Sequence, residues 1–302
     1  MVRKKIMQNF SPKSLAGIDR KVSKILISKG KELLEKKVKK NKNLKIFNKG
    51  NEGKATELDL WVEKQLMIQL KKIAPKYQFI SEEDSFFSSQ KSNENRYLTV
   101  ASGFEEPFWL IDPIDGTNNF INDLSYYCIS VALVSQNEII GGWIYQPTTK
   151  ELFRGLKGLG SFLGIGLRER RLDVSKTHQT SLENALIGTS HFHQNELDSC
   201  NSSQDKMNSL LRVAKVCRST RKMGSAALDL AYCSIGKLDG YWQGDLKPWD
   251  IAAASIICIE AGLKVTDLLG NNYEAMGTNI CVAPFEWHDQ LLNLVKSDSV
   301  FR

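Results

Sequence analysis

The chain of 302 residues carries 41 Lys+Arg against 34 Asp+Glu, a net charge of +7, with 42% hydrophobic and 25% charged residues. Those figures exclude disordered, collagen-like and fibrous proteins, and they allow two domains or one large α/β unit with a sizeable core. The charge is lopsided: residues 1–54 hold 17 basic and 4 acidic residues (net +13), the remainder 24 and 30 (net −6). A mildly acidic body argues against a nucleic-acid-binding fold, and the basic leader reads chiefly as a solvated helix face that could still touch an anionic partner.

Ile18, Val22, Ile25, Leu26, Leu33 and Leu34 recur at helical spacing and predict an amphipathic helix over Ile18–Lys40. The Lys/Asn-rich stretch Lys36–Asn51 reads as that helix's end running into a loop. Leu58, Trp61, Val62, Leu66, Leu70 and Ile73 mark a second helix stopped by Pro75, so two helices are expected before the first strand. Short β-like runs follow at Gln78–Ile80, Phe108–Ile111, Cys128–Val134, Ile139–Tyr145, Glu151–Arg154 and Ser161–Leu163, which suggests a sheet of hairpins. The polar segment Ser85–Pro107 reads as a surface excursion. The second half alternates strands at Ala185–Thr189, Leu238–Trp242, Lys264–Thr266 and Ile280–Ala283 with helices near Gly224–Ile235, Pro248–Ala261 and from Phe285, an α/β pattern.

The six cysteines form no C-x-x-C pair and make no metal-type cluster with the four histidines, so zinc spacing is absent and a reducing cytoplasm is the expected home. No apolar run approaches the ~20 residues of a membrane helix, and the first thirty residues lack a signal-peptide core; a soluble, unexported protein is expected.

The most informative stretch is Trp109-Leu-Ile-Asp112-Pro-Ile-Asp115-Gly-Thr117-Asn-Asn-Phe120. An apolar strand ends in two carboxylates three residues apart, with a proline and a glycine that let the chain turn so that both face one point. Two such groups repel unless a cation lies between them, and hard oxygen donors select Mg²⁺ or Ca²⁺. Gly116 and Thr117 would open a short helix whose N–H groups suit a phosphate. A plainer reading, in which the acids cap local N–H groups, explains one of them and leaves the other without a reason. Three further acidic positions are ambiguous alone. Ser81-Glu82-Glu83-Asp84 is either chemistry at a strand end or a charged turn. Thr56-x-x-Asp59 reads as a capping box, and Asp250 as an acid favoured in a helix's first turn.

Taken in order, Thr56-x-x-Asp59, Glu82-Glu83, Asp112-Pro-Ile-Asp-Gly-Thr-x-Asn-Phe120, Gly224-Ser-Ala-Ala227, Trp249-Asp-x-Ala-Ala253 and Glu260-Ala-Gly262 resemble the inositol monophosphatase family of magnesium-dependent, lithium-sensitive phosphatases. The resemblance runs from about Ala55 to the C-terminal helix, and Asn119-Phe120 favours this branch over the related nucleotide phosphatases. It implies an α/β (α+β) fold, the layered α-β-α-β-α sandwich of sugar phosphatases, as one domain over 1–302. Within it, 1–54 would be a basic helical leader and flap, 55–170 a first half with most metal ligands, and 171–302 a second half with the substrate side and Asp250.

By position, the resemblance makes Glu82, Asp112, the Ile114 carbonyl, Asp115 and Asp250 ligands of two or three Mg²⁺ ions. Thr117, helped by Asp59, would orient the attacking water, with Glu82 beside them in the catalytic set. Gly116 and Thr117 would hold the phosphate, and Asp115, Gly224, Ser225, Ala226, Gln243 and Asp250 would line the substrate side. The implied reaction is hydrolysis of a small polyol or sugar phosphate, inositol monophosphate first, by metal-activated water without a covalent phosphoenzyme. Histidinol phosphate or a nucleotide 3′-phosphate would suit the same ligand set. A regulatory relative that binds nucleic acid or RNA polymerase is the reading from another class. The implied partners are the phosphorylated substrate and a second copy in a homodimer, with no membrane. The chain departs from the family at Gln243, where many inositol-active members have Glu, at Ser81, at Leu263, and across Lys45–Lys54, where the family places a mobile metal-binding flap.

Overall fold

Strands with apolar side chains on both faces need cover on both, and the chain supplies it. The computed structural model describes residues 10–40, 43–50, 53–89, 106–174, 181–190 and 200–296. Helix α1 spans Pro12–Lys40, and strands β1 (Ile46–Asn48) and β2 (Lys54–Thr56) form an antiparallel ribbon ahead of α2 (Glu57–Ile73). A seven-stranded sheet then runs in sequence order through β3 (Gln78–Ser81), β4 (Phe108–Asp115), β5 (Cys128–Ser135), β6 (Glu138–Gln146), β7 (Glu151–Leu156), β8 (Gly160–Ile165) and β9 (Arg168–Arg171). Only β3 and β4 are parallel within it. Helices α3 (Glu82–Ser89) and α4 (Thr117–Ile121) follow β3 and β4.

The second sheet has the order β11 (Ser219–Arg221), β10 (Leu186–Thr189), β12 (Gly240–Gln243), β14 (Ile280–Ala283), β13 (Lys264–Thr266). Here β10 is parallel to both neighbours and the other pairs are antiparallel. Helices α5 (Cys200–Val216), α6 (Ala226–Cys233), α7 (Pro248–Ala261) and α8 (His288–Val295) complete the described α-helices.

Three core clusters define the layers. Leu26 and Leu33 of α1 and Val62 and Leu66 of α2 pack on Trp109, Val131 and Trp143. The opposite face of the same sheet, with Leu110, Ala132 and Phe153, meets Leu228, Ile251 and Ile257 of α6 and α7, which Tyr241 and Val282 cover from the other side. Val213 of α5 and Leu291 of α8 close the outer face over Ile187 and Cys281. The result is the expected α-β-α-β-α sandwich. Helix α7 is apolar all round because it lies between two sheets, and Gly142 admits it: a Cβ there would stand 2.2 Å from the Ala253 carbonyl oxygen. The Glu260 carboxylate accepts from Gly158 N and Gly160 N at 2.7 and 2.9 Å, fastening the end of α7 to the β7–β8 turn.

Several expectations need correction. The β1–β2 ribbon intervenes before α2, so the two helices do not run directly into the first sheet; three-residue strands leave almost no periodicity to read. Residues 85–89, expected to be irregular, continue α3 from Glu82, while 90–105 lie outside the described residues. The sequence reading also lacked α5, β9 and β11, which are amphiphilic or highly charged. Among the described residues no helix is long and apolar enough to cross a membrane, and five buried cysteines are free thiols.

Candidate active site

Strand β4 does not stop at Ile111; it runs on through both acids. Its partners on β5 are Ser130 opposite Asp112 and Cys128 opposite Asp115, so three steps on β4 match two on β5. In a regular pleat residues three apart point to opposite faces. The extra residue of this bulge, in a stretch where Pro113 has no N–H to pair, returns Asp115 to the face of Asp112. That face looks toward α6 and α7. Gly116 follows at φ 93°, where a Cβ would also meet Tyr126 O at 3.0 Å, and it caps α4.

The remaining groups arrive on the first turns of helices. Asp59 is the third residue of α2 and completes a capping box with Thr56: its Oδ2 accepts from Thr56 N at 2.8 Å and Thr56 Oγ1 at 2.5 Å. Its Oδ1 reaches the Thr117 hydroxyl at 3.2 Å, and that hydroxyl donates to Ile114 O at 2.9 Å. The plain reading of Asp59 as a cap and its functional reading therefore both hold, one per oxygen. Glu82 opens α3, and Asp250 in the first turn of α7 accepts from Lys247 N at 2.8 Å. Asp115 accepts from Ser225 Oγ at 2.6 Å and Ala227 N at 2.7 Å, which ties the β4 corner to the start of α6. Helix N-termini carry partial positive charge, and gathering several of them is one way to tolerate so many acids.

The aspartates of the site crowd one another. Burial lifts Asp112 and Asp250 well above the carboxylate range, and repulsion adds to it, from Glu82, Asp115 and Asp250 on Asp112 and from Asp115 and Glu82 on Asp250. Burial pushes Asp59 up to about 7, and Asp115 only to about 6 because the Ser225 and Ala227 bonds pull it back. Among the described residues no three acids, histidines or cysteines already close round one point in a metal-holding arrangement. The donor set nevertheless fits a hard divalent cation: buried Asp112 with half-buried Glu82, Asp115 and Asp250, on three elements and within electrostatic reach of one another, with Ile114 O beside them.

Gly224 (φ 86°) lies against Asn119, whose Nδ2 donates to Tyr126 O at 2.7 Å and Met223 O at 2.8 Å and so clamps the α4 corner to the loop before α6. Ser225 is the N-cap of α6, and the backbone N–H of Ala226 helps hold Asp115. Gln243, at the end of β12, accepts from the Tyr241 hydroxyl.

Two buried residues escaped the sequence reading. Lys49, hidden in the basic leader, places Nζ 2.6 Å from Glu82 Oε1 and 2.7 Å from Glu83 Oε1. Burial alone would lower its pKa, yet the Glu82 and Glu83 charges carry it above the ordinary lysine value. Glu63 accepts from Glu83 N at 2.9 Å and Asp84 N at 3.1 Å, holding the first turn of α3, and burial raises it to about 7. Its signal was available: it lies four residues after Asp59, on the helix face that also carries Leu66 and Leu70.

A model of the inositol monophosphatase family matches residues 18–299. An inositol-1-monophosphatase of Rhizobium meliloti is 34% identical over 228 residues, 76% of this chain and 77% of that protein. The Nus factor SuhB of Xylella fastidiosa is 31% identical over 238 residues, 79% and 78% of the two chains. The crystal structure of the extragenic suppressor protein suhB from Bartonella henselae superposes with a TM-score of 0.76 at 28% identity, covering 93% of this chain and 99% of that one.

Proposed function

The chain belongs to the inositol monophosphatase family, and from that premise we propose that it is a Mg²⁺-dependent phosphomonoesterase for a small polyol or sugar phosphate, inositol monophosphate being the first substrate to test. One observation carries this reading: buried Asp112 and half-buried Asp115 and Asp250, drawn from both halves of the chain, converge with Glu82, each is raised by at least one acidic neighbour, and a shared cation would relieve the repulsion.

Glu82, Asp112, Asp115, Asp250 and Ile114 O would hold the metal. When bound, Mg²⁺ acidifies a water and stabilises the leaving oxygen. The chain's own part is positional. Thr117 Oγ1 lies between Ile114 O and Asp59 Oδ1, so its remaining lone pair has a fixed direction along which it would orient the nucleophilic water. Thr56 occupies Asp59 Oδ2, leaving Oδ1 to take a proton near neutrality, in keeping with a pKa of about 7. The Gly116 and Thr117 N–H groups would cradle the phosphoryl oxygens, and Asn119 keeps the Gly224–Ala226 segment in register with them. A homodimer in the cytoplasm belongs to the same proposal.

The test is phosphate release from a panel of inositol, sugar, histidinol and nucleotide 3′-phosphates with Mg²⁺ varied. Metal-dependent turnover of polyol esters supports the reading, and full activity in chelated buffer overturns it. The similarity to a protein named Nus factor SuhB, with the exposed Lys21, Lys24 and Lys31 of α1, favours one additional role, contact with RNA or RNA polymerase. Salt-sensitive RNA binding that is lost when those three lysines become glutamates would support it.

A further inference from the structure

The β1–β2 ribbon is anchored to the start of α2, with Lys45 N donating to Glu57 Oε1 at 3.1 Å and Glu57 N to Lys45 O at 3.0 Å. At its tip Lys49 N donates to Gly53 O at 2.9 Å. The Lys49 side chain is 1% exposed, with its ammonium against Glu82 and Glu83 and 5.5 Å from the Phe86 ring centroid. Lysine is almost never buried to this degree unless paired. Glu83 leans on the same ammonium, since its Oε1 takes that ion pair and its buried Oε2 has no hydrogen-bond partner among the described residues.

Because Glu82 is also a ligand in the reading above, on which this inference rests, we propose that Lys49 is an internal counter-cation of the carboxylate cluster. It holds Glu82 and Glu83 in the metal-free protein and competes with the divalent cation for Glu82. An ammonium 2.6 Å from Glu82 Oε1 and a divalent ion on the same carboxylate repel at short range in a poorly solvated site. Lysine's flexible four-carbon stem allows it to withdraw without moving the ribbon. The basic leader thereby supplies the acidic body with a charge that stabilises the empty site and weakens cation binding.

The experiment measures Mg²⁺ binding by calorimetry and melting in EDTA for the full chain, its K49M variant and its K49R variant. K49M is expected to melt lower in EDTA and to bind Mg²⁺ about tenfold more tightly, with a larger Mg²⁺-induced rise in Tm, while K49R stays near wild type. On the wild-type chain, amine acetylation read by mass spectrometry is expected to spare Lys49 in EDTA and to label it at saturating Mg²⁺, which keeps the inference testable if K49M fails to fold. Equal or weaker Mg²⁺ binding by K49M, or protection of Lys49 unchanged by Mg²⁺, overturns it. That outcome leaves the phosphatase reading standing if esters are still hydrolysed. Mg²⁺ binding by neither protein overturns both.

Discussion

Asp19 and Asp112 are both buried carboxylates, and the molecule treats them in opposite ways. Asp19, on the inner face of α1, receives Arg154 Nη1 at 2.6 Å, Trp143 Nε1 at 2.8 Å and Ser23 Oγ at 3.3 Å, and Arg154 is shared with Glu169. Asp19 is met there by a cation and by neutral donors, and the cluster does one thing: it pins α1 to β6 and β7. Asp112 gives one oxygen to Ile114 N at 3.0 Å and otherwise faces other acids. Satisfied burial marks structure; unsatisfied burial of like charges marks a site that waits for a partner.

Substitutions sharpen that contrast, beginning with the largest effect. Asp112→Asn is expected to lower kcat by about 10²- to 10³-fold while Tm in EDTA stays the same or rises, because a repulsive charge is removed; steady-state kinetics and melting of the same sample check it. Asp19→Ala should do the reverse, costing about 3 kcal/mol by leaving a buried guanidinium short of its partner, with kcat of the folded enzyme unchanged, as urea denaturation and kinetics would show.

Acidity separates the two regions next. The folded chain holds protons on Asp115 up to about 6, on Asp59 and Glu63 up to about 7, and on Asp229 up to about 8. The unfolded chain releases them near pH 4. Between those limits the folded state binds more protons, so stability falls as pH rises. Tm in EDTA should therefore drop from about pH 5.5 to about pH 8, and Mg²⁺ should remove the part of the drop that comes from Asp115 by taking its proton's place. The smallest effect is expected at Asn119→Ala, which releases the clamp on Met223: KM for the ester should rise several-fold with kcat little changed.

Much of this was legible in the sequence for a physical reason. Asp112, Asp115, Thr117 and Gly116 sit within six residues, and local spacing with a proline and a glycine suffices to read a corner. The same holds for α7, whose bounds at Pro248 and Ala261 follow from an N-terminal proline and a glycine cap at Gly262. What stayed hidden depends on tertiary contact. Lys49 looks like one more leader lysine until the ribbon folds back, and the bulge that brings Asp115 onto the face of Asp112 is set by pairing with β5, which no local pattern announces.

That bulge carries a consequence of its own for how the gene can change. Between the two acids, the face that Asp115 takes depends on the residue count together with the register against β5. Deleting a single codon there would remove the bulge and leave the acids two residues apart on one face of an even pleat, whereas flattening the bulge at the present count would swing Asp115 toward α1 and α2 and strip the pocket of an acid.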